Sequence, residues 1–223
     1  MQERNDYKMK IDWLGHSCFK VTLKSGTVIL FDPFDSTIGY AQQEVEADVV
    51  VISHDHHDHN DLSHVKGDYT VVDTAGVHEL DEFSLEGIKT WHDNADGQDR
   101  GENLAFLLNV NGLHLCHMGD VGCVPSADVL ERLKDVELLL IPVGGFYTID
   151  AKEAMVIIDA ISPNIIIPMH FLTPQCTLPI APLHDFLVQA RGVYDISHPG
   201  KAYLTIDKAT LKKRTRVVVM EYL

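Results

Sequence analysis

The segment SHDHHDHN, residues 53–60, places four histidines and two aspartates in eight positions. Neutral imidazole and carboxylate are ligands that Zn²⁺ accepts, and Mn²⁺ or Fe²⁺ accepts them too. The competing reading is a solvated polar loop, and the spacing argues against it. In extended backbone, residues i and i+2 point the same way. His54 and His56 can therefore converge on one ion while Asp55 and His57 point elsewhere. Asp58 and His59 are adjacent, so they need a turn to converge. The pattern offers two pairs of ligands to two neighbouring ions.

Two ligands are too few for one ion, so the others must come from distant segments. TWHDNADG sets His92 between a strand and a loop rich in glycine and aspartate. CHMGDVG sets Asp120 in a glycine-flanked turn, and IPMH sets His170 after an apolar run. A carboxylate at Asp120 is attractive because it can bridge two metals at the roughly 3.5–4 Å of two-metal hydrolases.

These residues need rigid elements to bring them together. Several apolar strand patterns end in His or Asp: residues 47–53 run into His54, 113–118 into Gly119-Asp120 and 164–169 into His170. Further strands are expected over 9–15, 18–24, 27–31, 69–73, 104–110, 137–143, 202–206 and 215–221. Ser25-Gly26 and Asn111-Gly112 are turn signals. From Asp128, the spacing of Val129, Leu130, Leu133 and Val136 predicts an amphipathic helix. Asp150 with Glu153 forms a capping-box pattern for a helix to about Ile161, which Ser162-Pro163 ends. A short helix is expected over 183–190. Strands first, then strand–helix alternation, indicates one mixed α/β domain over residues 1–223.

The chain's 45% hydrophobic content is enough for a large core. Its formal charge of −15 disfavours binding to nucleic acid, which needs clustered cations. A small anionic substrate at a locally positive metal site remains compatible with it. The polar start MQERNDYKMK has no apolar signal region, and no run approaches a membrane span. Cys18, Cys116, Cys123 and Cys176 form no CxxC pair, which suits reduced thiols. A cytoplasmic protein is expected, with a homo-oligomer left open.

The ordered set His54-x-His56-x-Asp58-His59, His92, Asp120 and His170, with Asp32 in LFDPF, resembles the metallo-β-lactamase superfamily. WLGHSCF, HMGD, PVGGFYT and IPMHF resemble its small bacterial branch, which includes ascorbate-6-phosphate lactonase-like enzymes. The likeness covers nearly the whole chain. It implies a four-layer αββα sandwich, two mixed sheets flanked by helices. It also implies that His54, His56 and His92 hold one metal, that Asp58, His59 and His170 hold the other, and that Asp120 bridges them. A water between the ions, its pKa lowered by them, would attack, with Asp58 and Asp120 as the catalytic carboxylates. Zn²⁺ is the first expectation for both ions, with Mn²⁺ or Fe²⁺ next.

Other branches fit less well. A flavodiiron-type site would have Glu where His56 stands, and antibiotic-hydrolysing lactamases mostly have Cys where Asp120 stands. The RNA-processing branch needs an inserted domain for which 223 residues leave no room. GDVG, in place of the commoner GDTG or GDS, puts a local hydroxyl contact in doubt.

Around the ligands, Asp32, His117 and His16 are expected to support the site rather than to bind metal. His57 is the odd histidine out of the cluster. Arg100, in the acidic loop after His92, pairs with Asp96, Asp99 or Glu102 or else clamps an anion. Gly145 could bring a backbone donor to a ligand, with Tyr147 as a pocket wall. The expected function is hydrolysis of a small ester or lactone, phosphorylated or not. The alternatives are a metal-dependent phosphodiesterase and a non-enzymatic metal-binding or sensing protein.

Overall fold

A computed structural model describes residues 9–207, 210–211 and 214–223. The polar start over 1–8 lies outside them. The strands are β1 (Met9–Gly15), β2 (Cys18–Leu23), β3 (Val28–Phe31), β4 (Val45–Glu46), β5 (Val49–Val51), β6 (Val65–Lys66), β7 (Thr70–Val72) and β8 (Gly76–Glu79). They continue as β9 (Ser84–Trp91), β10 (Glu102–Val110), β11 (Leu113–His117), β12 (Leu138–Pro142), β13 (Ile165–Met169), β14 (Asp195–Ser197), β15 (Tyr203–Ile206) and β16 (Arg216–Val218). The helices are α1 (Ala127–Arg132), α2 (Ala151–Ile161) and α3 (Leu183–Ala190).

Two mixed sheets form the body. The first has the order β15-β1-β2-β3-β5-β7 and the second β14-β16-β13-β12-β11-β10-β9-β8. Period-2 alternation explains their packing. Met9, Ile11 and Trp13 of β1, Phe19 and Val21 of β2, Phe31 of β3 and Val51 of β5 share one core with Leu85, Phe106, Leu115 and Ile166 of the second sheet. The intervening Leu30 and Val50 face the other way, into a smaller outer cluster. β12 and β13 are buried at every position. Strands covered on both faces read as continuous apolar runs for this reason.

The α2 boundaries follow their local chemistry. The Asp150 carboxylate accepts from the Lys152 and Glu153 amides, and Glu153 returns a bond to the Asp150 amide. Ser162, at φ 57°, closes the C-terminus. Ala154, Ile157, Ile158 and Ile161 on one face of α2 join the main core. Asn111 and Gly112, at φ 52° and 79°, make the two-residue turn between β10 and β11.

The sandwich is as expected, but the cover over the first sheet is not an α-helix. A 3-10 turn over Ser36–Ile38, the loop bearing Phe34 and Tyr40, and Cys176 with Ile180 pack there instead. Burying an apolar face needs a lid and does not specify the lid's backbone. β4, β6, β8 and β14 carried no strand signal. They are short and, apart from the buried Val65 of β6, half-exposed or exposed, and their pairing comes from their neighbours. All four cysteines are free, and no helix among the described residues is long and apolar enough to cross a membrane.

The topology also builds one functional edge. β2 is antiparallel to β1 and β3, and β3 is parallel to β5, so β1, β3 and β5 run the same way. β10 is antiparallel to β9 and β11, while β11, β12 and β13 are parallel. Each co-directional strand delivers one or more residues at its carboxyl end: His16 after β1, Asp32 after β3, Ser53 and His54 after β5, His92 after β9, Asp120 after β11 and His170 after β13. Carboxyl ends of strands are where α/β sheets usually place ligands.

Candidate metal centre

Beyond β5 the chain is a loop, closed by a bond from the His59 amide to the His56 carbonyl at 2.8 Å. It makes the convergence that extended backbone was expected to make. The His54 and His56 rings sit 4.7 Å apart, and His92 lies 4.6 and 5.0 Å from them. One ligand atom from each of these three falls within 4.8 Å of the others. A second such group joins His16, Asp58, His59 and His170, and a third joins His54, His59 and Asp120. Asp120 stands between the first two. Its Oδ2 is 3.5 Å from His92 Nε2 and 3.1 Å from His170 Nε2, and its Oδ1 is 3.2 Å from His59 Nε2. All seven expected ligand residues thus meet at one edge.

A network under the site sets which ring nitrogens face it. Asp32 Oδ1 accepts from the Ser53 amide at 2.8 Å. Its Oδ2 accepts from Ser53 Oγ at 2.7 Å and pairs with His59 Nδ1 at 2.9 Å. Because Ser53 Oγ spends its proton on Asp32, it must accept from His54 Nδ1, 2.9 Å away. The Nε2 lone pair of His54 then faces the centre. His54 Nε2, His59 Nε2, His170 Nε2 and Asp120 Oδ1 are all buried without a hydrogen-bond partner. Buried polar atoms without partners are costly, and a bound cation satisfies them. On this observation the residues fit a divalent metal.

The electrostatics agree. Burial opposes charge on His59, but the Asp120 and Asp32 carboxylates outweigh it and hold its imidazolium well above the usual histidine range. Burial and then the His59 charge push His54 down to about 3. Burial works against the Asp120 carboxylate too, yet His170 and His59 overcome it and keep it ionised. The negative field that charges His59 is the field a cation would meet on displacing that proton.

Three further residues support the site. Asn103 Oδ1 accepts from the Asp120 amide at 2.8 Å, and its Nδ2 donates to Thr90 Oγ1 and the Met118 carbonyl. Gly119, at φ 55°, admits this close approach, since a Cβ there would lie 2.3 Å from Asn103 Oδ1 and 2.6 Å from Ser53 Cβ. Asp93 folds the loop after His92 by accepting from four amides, those of Ala95, Gly97, Asp99 and Arg100. These bonds hold its carboxyl down at about 2 against the desolvation that opposes its charge. D-N-A-D-G-x-D-R-G is an Asx-turn composition, so Asp93 was findable.

The other expected residues sort clearly. His117 pairs through Nε2 with the Ser17 carbonyl at 2.8 Å and accepts the Gly119 amide at Nδ1, with its ring stacked on Phe31. Both nitrogens are occupied, so it braces the Asp120 turn and binds nothing else. His57 points away from the centre, as alternation implied, but it lines the cleft mouth, where Asp35 pairs with it at 3.3 Å. Gly145 does not offer its amide to the cleft. That N–H donates to the Ile149 carbonyl at 3.1 Å, and the φ of 61° serves the turn. Tyr147 and Arg100 do line the cleft, with Leu178, which the sequence did not mark. The cleft holds about 280 Å³ above His56, Asp58, His92 and Asp120.

His16 lies closer to the centre than a packing role requires. It is fully buried at φ 51°, its Nε2 is 3.3 Å from Asp58 Oδ2, and its ring centroid is 4.1 Å from that of His170. Its carbonyl accepts from Trp13 Nε1 and the His170 amide. His16→Ala should therefore weaken metal binding by about 10- to 100-fold, the cost of losing a group that orients ligands. Isothermal titration of the metal-free protein with Zn²⁺ checks this. An unchanged binding isotherm would assign His16 to packing alone.

Comparison with known proteins follows the same lines. A family model described as a beta-lactamase superfamily domain matches residues 10–170. A UPF0173 metal-dependent hydrolase of Carboxydothermus hydrogenoformans is 32% identical over 194 residues, covering 74% of this chain and 85% of the relative. The crystal structure of a candidate Zn-dependent hydrolase of the metallo-β-lactamase superfamily from Thermotoga maritima superposes with a TM-score of 0.77. It shares 34% identity and covers 96% of this chain and 100% of its own. The metallo hydrolase Igni18 of Ignicoccus hospitalis shares the fold at a TM-score of 0.69 and 21% identity, covering 89% of this chain and 98% of its own.

Proposed function

Because the chain belongs to the β-lactamase superfamily and is a metal-dependent hydrolase, we propose that it is a dinuclear enzyme acting on a small ester or lactone. One observation carries the proposal: two clusters of ligand atoms, His54/His56/His92 and Asp58/His59/His170 with His16, meet at the single carboxylate of Asp120. In this reading the first three hold one ion, Asp58, His59 and His170 hold the other, and Asp120 bridges them.

Bound divalent ions would activate a water and polarise the scissile oxygen. The remaining chemistry belongs to the chain's own groups. Asp58 is half-buried at the cleft floor with its Oδ2 beside His16 Nε2. Burial opposes its charge, but the His16 contact and the His59 charge keep it ionised. It is thus an acceptor for the proton of the attacking water. Asp32 holds His59 and Asn103 holds the Asp120 backbone, so the ligands need little reorganisation. The cleft of about 280 Å³ has the volume of about nine waters at roughly 30 Å³ each, which suits a small molecule.

Metal stoichiometry tests this first. The purified protein is expected to take up two divalent equivalents per chain, and chelation is expected to remove its activity on a panel of lactones and aryl esters. One equivalent at saturation would end the dinuclear reading. Activity confined to a chromogenic phosphodiester would replace ester with phosphodiester as the substrate class. Full metal uptake with no turnover of either would favour a sensor.

A further inference from the structure

Arg100 is the cleft's permanent cation, and no lysine or other arginine lines the cleft among the described residues. The loop pins it: its amide donates to Asp93 Oδ2 at 2.7 Å, and the next residue, Gly101, bonds to His92 and Gly97. Of the two readings of this residue, pairing with an acidic neighbour does not occur. Glu102 pairs with Lys89 Nζ at 3.0 Å, and no described carboxylate forms an ion pair with Arg100. The guanidinium instead lies over the Tyr147 ring, 5.6 Å from its centroid. Tyr147 is itself braced edge-on by Phe146, at 4.7 Å and 82°, and its amide is bonded to the Gly145 carbonyl. A guanidinium held over a ring, with no carboxylate paired to it, keeps its N–H donors free for a ligand. Those donors form a fork that matches a carboxylate or a phosphate.

We propose that Arg100, backed by Tyr147, is an oxyanion-binding subsite. The substrate carries a carboxylate or phosphate group that this fork grips while its scissile bond lies over the metal centre. The proposal rests on the hydrolase reading above and names its substrate class. It also accounts for a placement that packing does not require. A chain with a formal charge of −15 repels anions over most of its surface. A lone, exposed, unpaired arginine beside a cation-binding centre gives such a substrate one local place to dock. The small cleft puts both contacts within reach of a single small molecule.

The test uses the metal-loaded full chain, wild type, R100A and R100K, with two esters that share a leaving group. These are 4-nitrophenyl acetate, which is neutral, and mono-4-nitrophenyl succinate, which carries a carboxylate. The ratio of kcat/KM for the anionic over the neutral ester is expected to fall by about 10- to 100-fold in R100A, the range for lost hydrogen bonds to a charged group. The loss should lie in KM, and R100K should recover part of it. Benzoate and phenyl phosphate are titrated calorimetrically into the same three proteins. Weaker binding of either in R100A supports the subsite, and the larger loss says whether carboxylate or phosphate is its natural group. A fall that is equal for both esters, with unchanged binding of both anions, overturns the proposal and leaves Arg100 a loop brace. If wild type hydrolyses neither ester, the ester reading fails while the anion titrations still decide the subsite.

Discussion

Asp120→Ala is expected to lower hydrolysis by at least about 10³-fold, since several kcal/mol of charge stabilisation come from the metals it would bridge. Its carboxylate lies in contact distance of both ligand clusters, 3.5 Å from His92, 3.1 Å from His170 and 3.2 Å from His59. Without it, two cations would repel each other across a gap with no negative charge between them. Metal uptake should fall below that of the wild type. Asp120→Asn keeps the volume and the Asn103 bond to the backbone amide but removes the charge. If it behaves as Asp120→Ala does, charge and not packing is the cause. Steady-state kinetics and metal analysis on both variants check this. Wild-type rates in Asp120→Ala would remove the hydrolase reading of this centre.

Asp32→Ala should have the largest effect on the fold. Asp32 is buried and holds three donors, the Ser53 amide, Ser53 Oγ and His59 Nδ1. Burial opposes its charge, but His59 outweighs this and keeps the carboxylate ionised. Removing it strands these groups inside the protein, and breaking such a buried pair typically costs about 3–5 kcal/mol. The backbone adds to the cost, because Asp32 sits at φ 45° and alanine tolerates that region less well than aspartate or asparagine. Urea denaturation of the metal-free protein should show the loss. Asp32→Asn keeps the shape and one acceptor, so it should be milder in stability while still weakening metal binding through a misoriented His59. Equal stability of both variants with wild type would mean that Asp32 is not a structural anchor.

The candidate ligand residues were largely legible because their chemistry is local to the alphabet. His54, His56, Asp58 and His59 are recognisable as a group, and His92, Asp120 and His170 each follow an apolar strand. The helix over Ala151–Ile161 was legible for a similar reason: its cap, its stop and its apolar stripe are all short-range. What escaped were groups whose role exists only across the fold. Asn103 is an ordinary polar residue until the Asp120 amide comes to it. The Gly145 amide looked available and is taken by Ile149. The weak strands β4, β6, β8 and β14 owe their pairing to neighbours rather than to their own residues.

By itself, then, the sequence indicated a mixed α/β fold and a set of candidate ligand residues, because periodicity and ligand type are properties of the chain, and its motifs carried the resemblance to the family. Only the tertiary structure decided which of them meet. It set β1, β3, β5, β9, β11 and β13 running in one direction, so that their carboxyl ends share an edge. It placed the Asp120 carboxylate between the two histidine groups, brought His16 against Asp58 and left Arg100 unpaired over Tyr147. Those contacts join residues far apart in the chain, and their distances depend on sheet register and core packing, which no local pattern encodes.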